Sequence, residues 1–364
     1  MRKTFITSVV AGALAVSLAS CGCSGPAQNV ENVVEEAEIE AEEEIGAEEE
    51  LVEEVMGTPA VNYVRLGGKD RYETMAQVVS VGFDSSEKAV IVTGENFPDA
   101  LAASSLAGAL KCPVVLTASN KLSEDAATEL EKLGVKDAYI VGGESSVSAE
   151  VEEALADASI SVTRVSGSDR AKTSVEAAKA TRDLDASSNT IVICTGDAFA
   201  DSLSISPWCW HSASPILLAR KGVLSEDEVA FVEDDGAFTR IVIVGGDVAV
   251  SEKVEEQLGD GYDYVRLEGA DRYATSEAVA DWTCENGFTW VEPALATGEN
   301  FPDALAGSAL QGVSASPILL VSDESAVAAE VVAAHHDEIS QLYVLGGEAS
   351  VSDGLVDSIA GAKQ

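Results

Sequence analysis

Three acid–base dipeptides carry the first chemistry in this sequence: Asp70-Arg71, Asp169-Arg170 and Asp271-Arg272, each inside an R-x-x-G-x-D-R-x-x-T pattern. A further acid follows each pair: Asp99 and Asp303 in two identical "TGENFPDALA" stretches, and Asp201 in a worn copy, "TGDAFADSLS". Guanidinium groups near carboxylates can do two things. They can pin a loop through charged hydrogen bonds, or converge on an anionic ligand. Arg71, Arg170 and Arg272 fall at expected helix starts, where the helix dipole disfavours a cation by roughly 0.3–1 kcal/mol. A charged pair with Asp99, Asp201 and Asp303 would compensate, and so would a bound anion. Both readings stand. Arg65, Arg164 and Arg266 recur too and join the candidate ligand contacts. Asp70, Asp169 and Asp271 are expected to cap helices and organise the loops.

Acid–base catalysis is not expected at these carboxylates. It needs paired carboxylates, or a carboxylate with a nucleophile and an orienting group. No histidine recurs with the aspartates, and neither G-x-S-x-G nor H-E-x-x-H occurs. The double glycines at Gly142-Gly143, Gly245-Gly246 and Gly346-Gly347 lack the G-x-G-x-x-G spacing and read as tight strand-to-helix turns. No cofactor is therefore expected, and the absence of CxxC spacing among the cysteines argues against a metal site. The disulfide state of Cys23, Cys112, Cys194, Cys209 and Cys284 stays open, although Cys194 lies in an apolar run and reads as core. Trp208 and Trp210 have no counterparts in the other copies and read as packing residues rather than a sugar platform.

The elements that must position these groups repeat in order. "PVVLT", "PILLA" and "PILLV", then "VGGESSVS", "VGGDVAVS" and "LGGEASVS", follow the D-R and T-G-x-x-F-x-D motifs at offsets of 99 to 103 residues. In the first copy "VNYVRL", "KAVIVT", "PVVLT" and "DAYIV" read as strands. Helices follow them, capped by Asp70, Ser123 and Ser148, with Pro98 at the start of another. This order predicts parallel α/β sheets with the D-R, T-G-x-x-F-x-D and Gly-Gly loops all at the carboxyl ends of strands. Open α/β sheets bind ligands along that edge.

The sequence carries 63 acidic and 22 basic residues, a net charge of −41. From Ala60 onward 50 acids face 20 bases, still −30. Such a field disfavours nucleic acid and anionic lipid surfaces as partners. Residues 1–20 read as an export signal that ends in "LASC", with Cys21 as the expected lipidation site; cleavage by an ordinary signal peptidase fits as well. Residues 21–59 hold 13 Glu and no Lys or Arg, and are expected to be a disordered acidic tether. The expected divisions are then 60–159, 160–260 and 261–364 for three repeats.

With these motifs assembled, the chain resembles the cell wall binding repeat 2 family of Gram-positive bacteria. The resemblance implies an α/β fold of three Rossmann-like parallel-sheet modules in a pseudo-threefold arrangement. It also implies non-covalent binding to an anionic or neutral cell wall glycopolymer, with basic residues in grooves between modules as contacts. The middle copy departs from the pattern, with Ala171 for the Tyr of "DRY" and Ala198 and Ala200 for the Asn and Pro of "ENFPD". The expected role is a membrane-tethered wall-attachment or scaffolding lipoprotein at the outer face of the cytoplasmic membrane, touching the membrane through its lipid only. A solute-binding lipoprotein of a transporter is the alternative, and an enzyme is not expected.

Overall fold

The structure, a computed structural model, describes residues 60–361 apart from Pro98. Cys21, the 1–20 signal, the 21–59 tether and the helix-start role of Pro98 lie outside the described residues. Ala60–Gln364 form one unit.

The first repeat runs β1 (Tyr63–Leu66), α1 (Arg71–Gly82), β2 (Lys88–Thr93), a 3₁₀ turn (Ala100–Ala102), α2 (Ala103–Leu110), β3 (Val114–Thr117), α3 (Glu124–Leu133), β4 (Asp137–Val141) and α4 (Ala149–Asp157). The second runs β5 (Ser161–Val165), α5 (Arg170–Leu184), β6 (Thr190–Thr195), α6 (Ala200–Ser212), β7 (Ile216–Ala219), α7 (Glu226–Asp235), β8 (Arg240–Val244) and α8 (Lys253–Leu258). The third runs β9 (Asp263–Leu267), α9 (Arg272–Glu285), β10 (Ala294–Thr297), α10 (Pro302–Ser314), β11 (Ile318–Val321), α11 (Val327–Ala334), β12 (Leu342–Leu345) and α12 (Asp353–Ile359).

Local chemistry fixes most boundaries. "TIVICT" in β6 is buried along its whole length, as a central parallel strand requires. Asp70, Asp169 and Asp271 each accept backbone N–H bonds at the first turn of the following helix, as their spacing predicts. Ser123 caps α3 the same way. Ser148 holds the N-cap position of α4 but makes no capping bond, unlike Ser352 at α12.

The strands form three four-stranded parallel sheets, ordered β3-β2-β4-β5, β7-β6-β8-β9 and β11-β10-β12-β1. Each sheet therefore takes three strands from one repeat and its fourth from the next. The third takes its fourth from the first repeat: Arg65 in β1 lies beside Val344 in β12. The repeats are thus not self-contained modules, as the sequence order suggested, but links of a closed ring. The borrowed strand satisfies the outer edge of β4, β8 and β12, which a self-contained repeat would leave unpaired.

One apolar cluster runs through all three repeats, and two smaller ones fill the remaining layers of the second and third sheets. At its centre α2, α6 and α10 pack on one another. A Cβ on Gly108 in α2 would lie 1.9 Å from the carbonyl oxygen of Trp210 in α6, so only glycine permits that crossing. The Trp208 and Trp210 indoles are buried, and their N–H groups donate to the Asn286 and Cys112 carbonyls in the neighbouring repeats. They are packing residues, as the sequence reading held. Cys194 is fully buried in β6, and Cys112, Cys194, Cys209 and Cys284 are free thiols.

Candidate functional site

In each sheet the loop after the second-placed strand and the loop after its neighbour leave in opposite directions. For β3-β2-β4-β5 these are the loops after β2 and β4, whose carboxyl ends frame the crevice where such sheets bind ligands. Asp99 arrives there on the β2 loop. Its carboxylate accepts a 2.5 Å bond from the Ser146 hydroxyl on the β4 loop. Gly142 makes this approach possible. Its φ is +124°, and a Cβ there would sit 3.2 Å from the Asp99 carboxylate. The third wall is Arg170 with Thr173, brought by β5 from the second repeat.

The Asp–Arg pairing recurs twice. Asp303 is bonded by Ser350 and by Thr74 and feels the charge of Arg71, so the third repeat's acid faces the first repeat's arginine. Asp201 feels Arg272 in the same way. Each groove therefore joins one repeat's Asp to the next repeat's Arg, with that repeat's Thr beside Asp99 and Asp303. The expected pairing within a repeat (Arg71 with Asp99, Arg170 with Asp201, Arg272 with Asp303) is not what forms, because the strand that carries each D-R pair belongs to the preceding sheet.

The arginines have another partner. Arg71, Arg170 and Arg272 donate to the carbonyls of Gly94, Gly196 and Gly298 at the ends of β2, β6 and β10. That carbonyl offsets the cost of a cation at a helix start. Glycine is needed there because the arginine stem lies across it: a Cβ on Gly94 or Gly196 would be 3.0 Å from the arginine Cδ. Arg170 also lies 3.5 Å from Asp197 and keeps 31% of its side chain exposed.

Arg65, Arg164 and Arg266 are differently placed. Arg164 donates to the carbonyls of Gly142 (2.9 Å) and Val147 (2.8 Å) and grips Glu152 through two nitrogens. Arg266 binds the Gly245 and Val250 carbonyls and Glu255, and Arg65 binds the Gly346 carbonyl and Asp353. These three staple the Gly-Gly loops and have their donors turned inward.

Burial raises Asp201 and Asp303. Asp201 is pushed up to about 6 by loss of solvent, against the pull of Arg272. Asp303 is raised by the same burial and held back by Ser350, Thr74 and Arg71. The second repeat lacks the hydroxyl because Ala249 stands where Ser146 and Ser350 stand. The Phe of each motif also has a role that the sequence reading missed. Phe97, Phe199 and Phe301 meet one another at the centre of the ring, with centroids 5.7, 5.7 and 6.2 Å apart. The signal was available: the Phe survives even in the worn copy.

Three strand-sharing α/β modules, each of which brings one repeat's Asp beside the next repeat's Arg at its sheet edge, define the architecture. Comparison with known proteins makes this particular: the chain belongs to the cell wall binding domain 2 (CWB2) family, whose pattern matches residues 65–152, 164–255 and 266–356. It is 27% identical over 297 residues to the Bacillus subtilis N-acetylmuramoyl-L-alanine amidase LytC, covering 81% of this chain and 57% of the amidase. It is 27% identical to the Bacillus subtilis amidase enhancer, covering 81% of this chain and 40% of that protein. Among solved structures, Cwp6 from Clostridium difficile superposes with a TM-score of 0.74 at 26% identity, over 83% of this chain and 48% of Cwp6. Cwp8 from the same organism gives 0.73 at 26%, over 87% and 54%. The chain thus spans about half the length of these relatives.

Proposed function

We propose that this chain is a non-enzymatic lipoprotein that attaches non-covalently to a secondary glycopolymer of a Gram-positive wall. In this reading Cys21 anchors one end in the membrane and the ring of repeats grips the wall. Membership of a cell wall binding family supports wall association directly. The observation that carries the polymer reading is the threefold groove. Carboxylate and guanidinium recur at three sheet edges, each between one repeat and the next, and a serine hydroxyl joins them at two. Donors and acceptors side by side suit the hydroxyls of a saccharide, and three related grooves suit a polymer that repeats. Weak single contacts then add up through multivalency. The amidase activity of LytC belongs to that protein, and the present chain is assigned binding alone.

Sedimentation with purified cell wall tests the proposal. The protein should pellet with intact wall and remain in solution once the secondary polymer is stripped. Retention by stripped wall would redirect the assignment to peptidoglycan, and no retention by either would end it.

A further inference from the structure

The three grooves are not equivalent in charge, and the middle repeat is the exception. Its carboxyl edge carries Arg170, Lys172, Arg220 and Lys221, where the first repeat has Arg71, Glu73, Ala118 and Ser119. The third repeat has Arg272, Ala274, Ser322 and Asp323. Four bases thus gather at one edge of a folded part whose net charge is −30.

The same edge has been opened. In the other repeats a tyrosine fills the corner: Tyr273 comes within 2.5 Å of where a Gly298 Cβ would lie, and its hydroxyl donates to Glu299. Ala171 replaces it in the middle repeat. A cleft of about 320 Å³ lies there, lined by Ala171, Lys172, Arg220 and Lys221 and by the carboxylates Asp169 and Glu228. It adjoins the 250 Å³ groove that holds Asp99, Ser146 and Arg170, and the two share Asp169 and Arg220. Together they reach the range of small-ligand pockets, about 300–1,000 Å³.

The basic turn is held in place. Arg220 and Val223 exchange both backbone hydrogen bonds, at 3.0 and 3.2 Å. Lys221 and Gly222 between them take φ of +52° and +74°, and the Lys221 amide is fixed by Asp197 at 2.9 Å. Lys221 thus takes the left-handed region at the tip of a tight hairpin turn. Carboxylates temper the other bases: Asp227 lies 3.2 Å from Lys172, and Asp169 lies 3.8 Å from Arg220. Among the described residues the Lys221 ammonium has no ion-pair partner.

We infer that this composite cleft is the subsite for an acidic unit of the wall polymer, a saccharide that carries a phosphate or carboxylate group. The hydroxyl-rich groove takes the sugar and the Lys172–Arg220–Lys221 corner takes its charge. The inference rests on the polymer-binding reading above and says which groove takes the charge. It also gives a strongly acidic protein a local site for a polyanion.

The test uses the chain from residue 21 onward with Cys21→Ser, sedimented with purified wall over a range of salt. Lys172→Glu, Arg220→Ala and Lys221→Ser together restore the first repeat's residues on an exposed surface. This variant should bind roughly tenfold more weakly, the size of one lost charge-assisted contact, and depend less on salt. Ala171→Tyr fills the cleft without altering charge and should weaken binding with an unchanged melting temperature. Carbodiimide-amidated wall loses its carboxylates and keeps its polymer: if the difference between wild type and triple variant disappears on it the group is a carboxylate, and if the difference persists it is a phosphate. Wild-type wall binding by both variants would overturn this inference and leave the polymer reading intact. Failure of the wild type itself to bind wall would overturn both.

Discussion

At the scale of single residues, two sets of recurring arginines divide the labour. Arg164 is a staple: it holds two loop carbonyls and a carboxylate with 17% of its side chain exposed. Arg164→Ala is therefore expected to cost about 2–4 kcal/mol in urea unfolding, since it leaves buried carbonyls without donors. Arg170→Ala loses one carbonyl bond in a more open place and should cost roughly 1 kcal/mol, while wall binding falls more than for Arg164→Ala after correction for folded fraction. The acids yield a pH prediction. Burial sets Asp201 at about 6, above its ordinary value near 3.8, so the folded state binds more protons across that interval. Stability linked to Asp201 is present below pH 4 and is lost as pH rises toward 7, by about 2–3 kcal/mol at most. Asp201→Asn should accordingly gain on the wild type in thermal melts as pH rises from 4 to 7; a constant difference across that range would contradict the assignment. The caps at Asp70, Asp169 and Asp271 were legible in the sequence because N-capping is local chemistry. The bonds from Arg71, Arg170 and Arg272 to glycine carbonyls were not, because a backbone acceptor leaves no residue type to read.

At the scale of elements, the strands and their order followed from short apolar runs and recurring turn residues. "KAVIVT" and "PVVLT", short apolar runs rich in β-branched residues, suit buried parallel strands, and form them. The partners of β1, β5 and β9 could not be read in this way. A half-buried strand shows the same alternation whether it joins its own repeat or its neighbour's, and only the three-dimensional closure decides. The helices at the centre hold a recurring irregularity: Lys111, Ala213 and Ala315 end α2, α6 and α10 with φ of +52°, +49° and +49°. Glycine is the usual residue there. Ala315→Gly should raise stability by roughly 0.5–1 kcal/mol, measured by chemical denaturation, because the relief of a left-handed alanine exceeds the added chain entropy.

At the scale of the whole molecule, the three grooves act as a set. Arg71→Ala with Arg272→Ala damages two of them and should lower apparent affinity for wall by roughly tenfold or more after correction for folded fraction, while the melting temperature falls only by the few degrees that two lost carbonyl bonds explain. A matched fall in melting temperature would mean that these arginines serve the fold alone. The ring also sets a timetable for the chain. Arg65 in β1 reaches the carbonyl of Gly346, 281 residues further on. At about 5–20 residues per second of synthesis, β1 waits roughly 14 to 56 seconds before its sheet exists. Until then each sheet in turn can recruit the strand just made after it, but the first strand has no place to go. Docking of β1 onto β12 therefore cannot precede the making of β12, and a chain that loses its final repeat loses a partner for its first.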